Sequence, residues 1–321
     1  MDVGTITSTP DELREGLFGG VFLFILEALP GLSEEGMRPR WNLETKYYGA
    51  IIPSLLELVE PVAGQGPSRS ILAVRESDRR TLGGDFDSIS RLWSSYFRPA
   101  KTVVEGADRI DPGLENSLGV HYRGGDKLAA RWDTNPISRE DYLRIIQDRL
   151  KNDPTIKHCL IASDDERFIE LAKDRLDIPR LVLEAGEQHK SSSLEQDPIA
   201  RARSALRDCL LLSRCRTIMQ TSSALPSFAK VLRPEVDCRR CAASKWFSTV
   251  PYFPVAHIPI HEPGDPRLRA IIDQAMKGDW TREPEAAGFR HDFAFVKPET
   301  ISRKPISKYW WSRLARRIRL G

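Results

Sequence analysis

The sequence lacks several features that would assign it to a class at once. No stretch reaches the roughly 20 apolar residues that a membrane-spanning helix needs. The apolar run Leu17 to Leu29 is interrupted by Glu27 and has the length of a buried core helix. A basic segment followed by an apolar core, the mark of a secretory signal, is missing from Met1 to Pro10. The expectation is a soluble, cytoplasmic chain, peripheral at most on the inner face of a membrane. Cysteine is scarce and odd in number, five in 321 residues, which fits a reducing compartment better than a disulfide framework. Cys238-Arg239-Arg240-Cys241 has the spacing of half a zinc site. No second Cys or His pair follows it at ribbon-like spacing, so no metal is expected. Net charge is low as well, only +3. Residues 301 to 321 alone carry +7, from Arg303, Lys304, Lys308, Arg313, Arg316, Arg317 and Arg319, which leaves the rest at −4. A mildly acidic body argues against broad nucleic-acid binding.

Nucleotide-binding fingerprints are also missing. Neither Gly-x-x-x-x-Gly-Lys-Ser/Thr nor Gly-x-Gly-x-x-Gly occurs, so neither a phosphoryl-transfer P-loop nor a dinucleotide fold is supported. Gly16, Gly19 and Gly20 precede a helix, where glycines can let a ligand approach backbone amides or simply allow close packing.

What is present is a regular alternation. Residues 12 to 60 read as helical material, with Val21 to Leu29, a Pro30-Gly31 break, and a second helix around Ile52 to Val59. Pro61 to Ser70 reads as a loop and Ile71 to Val74 as a short strand. From residue 117 the pattern becomes strand, helix, strand four times over. Strands fall at 117 to 123, His158 to Ala162, Leu181 to Leu183 and Thr217 to Gln220. Helices begin at Ser138-Arg139-Glu140-Asp141, at Ser163-Asp164-Asp165-Glu166, near Ile199 and near Leu225. This order implies a parallel sheet covered on both faces. The length allows two such domains. The boundaries expected are 1–112, 113–255 and a C-terminal extension, 256–321.

The periodicity places three polar groups at carboxyl ends of strands, where open α/β sheets bind ligands. They are His121 to Lys127, Ser163 to Asp165, and Thr221 to Ser223. In the first, a two-residue period puts His121 and Arg123 on one face, and Gly124-Gly125 breaks the strand ahead of Asp126 and Lys127. Asp164 and Asp165 read as helix caps. Ser222 and Ser223, at a helix start, can form an anion site with the first backbone amides, and Arg123 on the same rim can complete a clamp for a phosphate. A nucleotide-linked ligand without the common fingerprints suggests a nucleotide sugar.

The segment Val120-His121-Tyr122-Arg123-Gly124-Gly125-Asp126-Lys127 resembles the first motif, His-x-Arg-Arg-x-Asp, of the fucosyltransferase superfamily. That motif is shared by α-1,2-, α-1,6- and protein O-fucosyltransferases, rhizobial nodulation enzymes among them. Leu160-Ile161-Ala162-Ser163-Asp164-Asp165 resembles the second block. Asp208-Cys209-Leu210-Leu211-Leu212-Ser213 followed by Thr221-Ser222-Ser223 resembles the third. The resemblance implies an α/β protein of the GT-B type, two Rossmann-like domains with parallel sheets. It would invert the anomeric centre and use GDP-fucose without metal or other cofactor. It assigns Arg123 to the β-phosphate and to the leaving diphosphate, His121 to the nucleotide, Asp208 to the guanine edge, and Ser222 and Ser223 to phosphate oxygens. Two departures stand out. The second arginine of the motif is Gly124 here, and the glutamate that some α-1,6 members carry further on is replaced within Ala129-Ala130-Arg131. Asp126 is the nearest candidate for a catalytic carboxylate, with Asp133 and Glu140 further along.

The expected partners are therefore a nucleotide-sugar donor, a glycan or glycolipid acceptor, and no nucleic acid. Tyr309 to Leu320 can form a helix with Trp311, Leu314, Ala315 and Ile318 on one side and arginines around them. That composition suits an anionic membrane surface, which residues 306 to 321 would contact, or else a helix packed on the protein body. Two alternatives remain for the whole chain, a GT-B transferase using another nucleotide sugar and a non-catalytic glycan-binding relative.

Overall fold

The computed structural model describes residues 4–13, 16–60, 66–74, 86–110, 114–124, 137–177, 180–185, 197–221, 223–242 and 294–295. Asp126, Asp133, Ser222 and the tail at 306–321 lie outside them.

The N-terminal half is built on a four-stranded sheet in the order β3-β2-β1-β5, where β1 is Thr5–Ser8, β2 Arg40–Thr45, β3 Gly49–Ala50 and β5 Ser68–Ser70. β1 runs parallel to β2 and β5, and β3 returns antiparallel as a hairpin. A helix connects β1 to β2. It opens as a π-helical turn at Leu17–Phe22 and continues as α1, Leu23–Glu34. By length and composition it could cross a membrane, but most of it is buried inside the protein. Trp41 and Leu43 of β2 point inward while their neighbours are exposed, the alternation of a half-buried strand.

Four sequence expectations change here. Arg40–Thr45 and Gly49–Ala50, within the stretch read as helical, are the strands β2 and β3, because alternate residues of β2 face the core. The helix passes through Pro30 without breaking, because Leu29 and Leu32 on either side are buried and their packing outweighs the lost backbone bond. Residues 52 to 59 form a turn and then β4, Leu56–Leu58, paired antiparallel with β6, Phe97–Pro99. An apolar run this short does not distinguish strand from helix by period. The strand expected at Ile71 to Val74 is the short helix α2, and the strand is the preceding Ser68–Ser70. Helices α3, Phe86–Tyr96, and α4, Lys101–Ile110, complete this half.

From β7 to α8 the C-terminal half follows the sequence pattern, and two strands the pattern did not show, β11 and β12, extend its sheet. Its strands are β7 Ser117–Tyr122, β8 His158–Ser163, β9 Arg180–Ala185, β10 Thr217–Gln220, β11 Asp237–Ala242 and β12 Ala294–Phe295. Its helices are α5 Arg139–Asn152, α6 Glu166–Arg175, α7 Pro198–Arg214 and α8 Ala224–Leu232. The sheet is parallel in the order β12-β11-β10-β7-β8-β9. Counted from β7, the chain runs outward to β9, crosses back to β10 beside β7, and runs outward the other way. This is the strand order of a Rossmann sheet, and the order reverses between β7 and β10. The architecture is α/β with two sheets built mainly of parallel strands.

Both faces of β7 are buried. Leu118, Val120 and Tyr122 join the apolar layer under α5 and α6, where Tyr122 lies 4.5 Å from the ring of Phe168. The opposite face is covered by α7. A Cβ on Gly119 would lie 2.9 Å from Leu212 and 3.1 Å from Cys215, so only glycine lets α7 settle this closely. That second layer is continuous with the core of the N-terminal half. Phe228 of α8 meets Phe18, Phe22 and Trp93 at centroid distances of 5.7, 4.9 and 4.9 Å.

The Cys238 and Cys241 thiols contribute to different cores, one on each face of β11. Residues three apart on a strand point to opposite faces, so the pair cannot chelate one ion between them.

Candidate active site

The strand order reverses between β7 and β10, the place where open α/β sheets bind ligands at their carboxyl edge. Backbone registry brings the two strand ends together. Gln220 pairs with His121 across the two strands, and Thr221 N donates to the His121 carbonyl at 3.0 Å. The Thr221 hydroxyl then accepts from Arg123 N at 2.8 Å. Thr221, read from sequence only as part of a helix start, is thus the tie that fixes where the chain leaves β7. Tyr142 of α5 supports the same strands from beneath, donating to the Met219 and His121 carbonyls at 2.7 and 3.2 Å.

Arg123 does not lie loose on the rim. Its Nη1 meets Asp164 Oδ2 at 2.7 Å, and the other Asp164 oxygen accepts from Gly124 N at 2.7 Å. The Asp164 side chain is 5 % exposed and that of Arg123 22 %, so the carboxylate is the buried member that aims a guanidinium outward. The expectation that Asp164 caps a helix is therefore corrected. Asp165 alone caps α6, accepting from Phe168 N at 3.0 Å. Asp165 also takes a two-pronged contact from Arg139, with Nε to Oδ1 at 2.9 Å and Nη2 to Oδ2 at 2.6 Å. That contact holds the Arg139 guanidinium above its ordinary range. Ser163 completes the corner by accepting from Asp165 N and donating to the Tyr122 carbonyl.

This corner explains Gly124. A Cβ there would lie 2.5 Å from Asp165 Oδ2 and 2.7 Å from Asp165 Cβ. Asp165 cannot move without releasing both its helix cap and Arg139. The second arginine of the motif is sterically excluded at this position.

On the β10 side, Ser223 occupies the N-cap of α8 in an extended conformation, yet its side chain makes no capping hydrogen bond. A serine in this place ordinarily accepts from an amide of the first turn. The first-turn amides of α8 thus have no side-chain cap from Ser223.

Asp208 lies on α7, 2 % exposed, with Arg207 Nη2 at 3.4 Å. The adjacent Cys209 thiol meets the Leu225 carbonyl of the first α8 turn at 3.4 Å, so Asp208 is level with the start of α8. Strand registry sets His121, Arg123 and Ser223 at the carboxyl ends of β7 and β10, while Asp208 lies on α7. Glu140 is exposed in the first turn of α5. Tyr48 approaches from the N-terminal half. Its hydroxyl accepts from Leu17 N at 3.3 Å. Burial pushes its pKa up, while the charges of Arg201 and Arg123 pull it down. No motif pointed to Tyr48, because its partners are 31 residues away or more.

No protein-family model matches the sequence, and no curated protein matches it. Solved structures do. Fucosyltransferase NodZ from Bradyrhizobium is 15 % identical over 73 % of this chain and 94 % of its own, with a TM-score of 0.45. A selenomethionine form of the same Bradyrhizobium protein is 14 % identical over 82 % and 97 %, at 0.47. Arabidopsis thaliana FUT1, a mutant in complex with GDP, is 13 % identical over 47 % and 34 %, at 0.32. Similarity at this level says nothing about catalytic chemistry.

Proposed function

We propose that the protein is an inverting glycosyltransferase that moves fucose from GDP-fucose to a glycan or glycolipid acceptor. One observation supports this above the others. Arg123, held by Asp164 and with its backbone amide tied to Thr221, ends β7 beside the strand that leads into α8, where Ser223 makes no side-chain cap bond. A cation and a helix N-terminus at adjacent strand ends can form a site for a diphosphate. When the sugar departs, negative charge accumulates on the leaving diphosphate, and preorganised donors there stabilise it without reorganising. His121 and Asp208, lower on the same wall, would hold the nucleoside, with Asp208 accepting from the guanine edge. Ser222 and Ser223 would hold phosphate oxygens. Asp126 is proposed as the catalytic carboxylate.

The reaction needs no metal in this reading. Asp164 and Asp165 are already engaged by arginines and backbone amides, so transfer should be unchanged in excess EDTA. A rate that collapses and returns with Mg²⁺ would make these carboxylates metal ligands and reject the scheme. The primary test is a thermal-shift comparison of GDP-, UDP- and dTDP-sugars, followed by donor turnover. Stabilisation by GDP-fucose with measurable hydrolysis supports the reading. Preference for another donor favours a GT-B transferase of different specificity. Binding without any turnover favours a non-catalytic glycan-binding relative, the outcome to which the exclusion of a side chain at Gly124 lends weight.

A further inference from the structure

The crossover from β9 through α7 to β10 makes α7 antiparallel to the strands it covers. Leu212 and Cys215 rest on Gly119, which fixes the level of the helix against β7. Moving toward the rim, Asp208 is four residues from Leu212, about 6 Å along the helix axis, and His121 is two residues from Gly119, about 7 Å along the strand. Arg201 is eleven residues from Leu212, about 16 Å, and Arg123 is four from Gly119, about 13 Å. Residues 201, 205, 208, 212 and 215 recur at intervals of four and three and so share one helix face. Of these, Ala205, Asp208, Leu212 and Cys215 are buried. Arg201 therefore ends a stripe whose Leu212 and Cys215 press on the Gly119 face of β7, and ideal helix and strand rises set it at about the level of Arg123.

Two further observations bear on Arg201. Its Nε is buried without a hydrogen-bond partner, an expensive condition for a guanidinium in the protein alone. The charges of both Arg201 and Arg123 bear on the Tyr48 hydroxyl, lowering its pKa against the larger effect of burial. Arg123 already meets a carboxylate, and a diphosphate carries more charge than that single arginine neutralises.

We propose that Arg201 is the second cation of a diphosphate site, binding the terminal phosphate of a nucleoside diphosphate opposite Arg123. It supplies from α7 the charge that Gly124 cannot carry. The proposal rests on the donor reading above and adds a residue and a phosphate position to it. Asp208, seven residues further down the same face and about 10 Å away along the axis, would face the base end of the same ligand.

The test compares GDP with GMP by calorimetry on the wild-type chain, Arg201→Gln and Arg201→Lys, each checked for an unchanged melting temperature. A charge-assisted bond to the second phosphate predicts GDP affinity about 10- to 100-fold weaker in Arg201→Gln. GMP affinity should move by less than about threefold, within the variation of a neutral contact. Arg201→Lys should recover part of the GDP loss, and it remains the readable variant if Arg201→Gln does not fold. Equal losses for GDP and GMP would overturn the assignment, as would no loss for either. So would an effect confined to the acceptor KM. If the wild-type chain binds no nucleoside diphosphate, the donor reading fails and this one with it. Binding by wild type with an indifferent Arg201 variant rejects Arg201 alone.

Discussion

In the proposed reaction Arg123 would act through how it is held as much as through its charge. Asp164 is the more buried of the pair and binds both the Arg123 side chain and the next backbone amide, so the guanidinium is already oriented. Removing one preorganised donor to developing charge costs about 2.7 to 4 kcal/mol, or about 10² to 10³ in rate. Arg123→Ala should fall at least that far in sugar transfer or donor hydrolysis while remaining folded by circular dichroism. Arg123→Lys should recover little, since an ammonium cannot reproduce the planar fork. A folded Arg123→Ala that keeps more than about a tenth of the wild-type rate contradicts the role. The two-residue period read from sequence led to the expectation that His121 and Arg123 share a face. It could not separate Asp164 from Asp165, because Ser-Asp-Asp-Glu accounts locally for a cap by either. The partner that decides between them, Arg123, lies about 40 residues away on the neighbouring strand.

Elements were legible wherever local signals agreed with packing. Ser138 caps α5 as its sequence suggests, accepting from Asp141 N at 3.0 Å, and β7 to α8 follow in the expected order. The pattern failed where burial overrode local preference, at Pro30 and at the short apolar runs near 56 and 71. It also missed the stripe on α7, which is visible only once Gly119 reveals which face touches β7. Burial within these elements has a titration consequence. It pushes the thiols of Cys159 in β8 and Cys238 in β11 up to about 12. Between the ordinary thiol value of about 8.5 and that level, the folded state keeps protons that the unfolded chain has lost. Stability should therefore be intact below about pH 8.5 and decline as pH rises through that window. Urea midpoints at pH 7.5, 9 and 10 should fall in that order. All five cysteines are buried free thiols and should resist alkylation at pH 8 until denaturant is added. Fast alkylation of the native protein, or a midpoint that does not move, would show these strands to be more open than described.

At the scale of the whole molecule, the two sheets share one apolar core. Phe228 of α8, 1 % exposed and in ring contact with Phe18, Phe22 and Trp93, sits where the halves join. Truncating a buried phenylalanine costs about 3 to 5 kcal/mol. Phe228→Ala should lower the melting temperature as a single transition if the halves unfold together. Two separated transitions would show that each sheet is stable alone.

The basic tail bears on the whole molecule through its charge. Residues 306 to 321 combine Trp310, Trp311, Leu314 and Ile318 with Lys308 and four arginines and have no acid, while the first 300 residues carry a net negative charge. Attraction of juxtamembrane basic residues to an anionic surface is worth about 1 kcal/mol each. Burying the apolar side of an interfacial helix adds to that. We propose that the tail brings a glycolipid-facing enzyme to an anionic membrane. Deleting residues 306–321 should abolish co-sedimentation with vesicles rich in anionic lipid and leave turnover of a soluble acceptor largely intact. Binding of the full chain should weaken steeply as salt rises from 50 to 500 mM, because exposed charges are screened over distances of about 10 Å at 0.1 M and 3 Å at 1 M. A truncated chain that still sediments with the vesicles would place membrane affinity elsewhere. One that loses its melting transition would make the tail part of the packed body, with Trp310 and Trp311 turned toward the protein rather than the lipid.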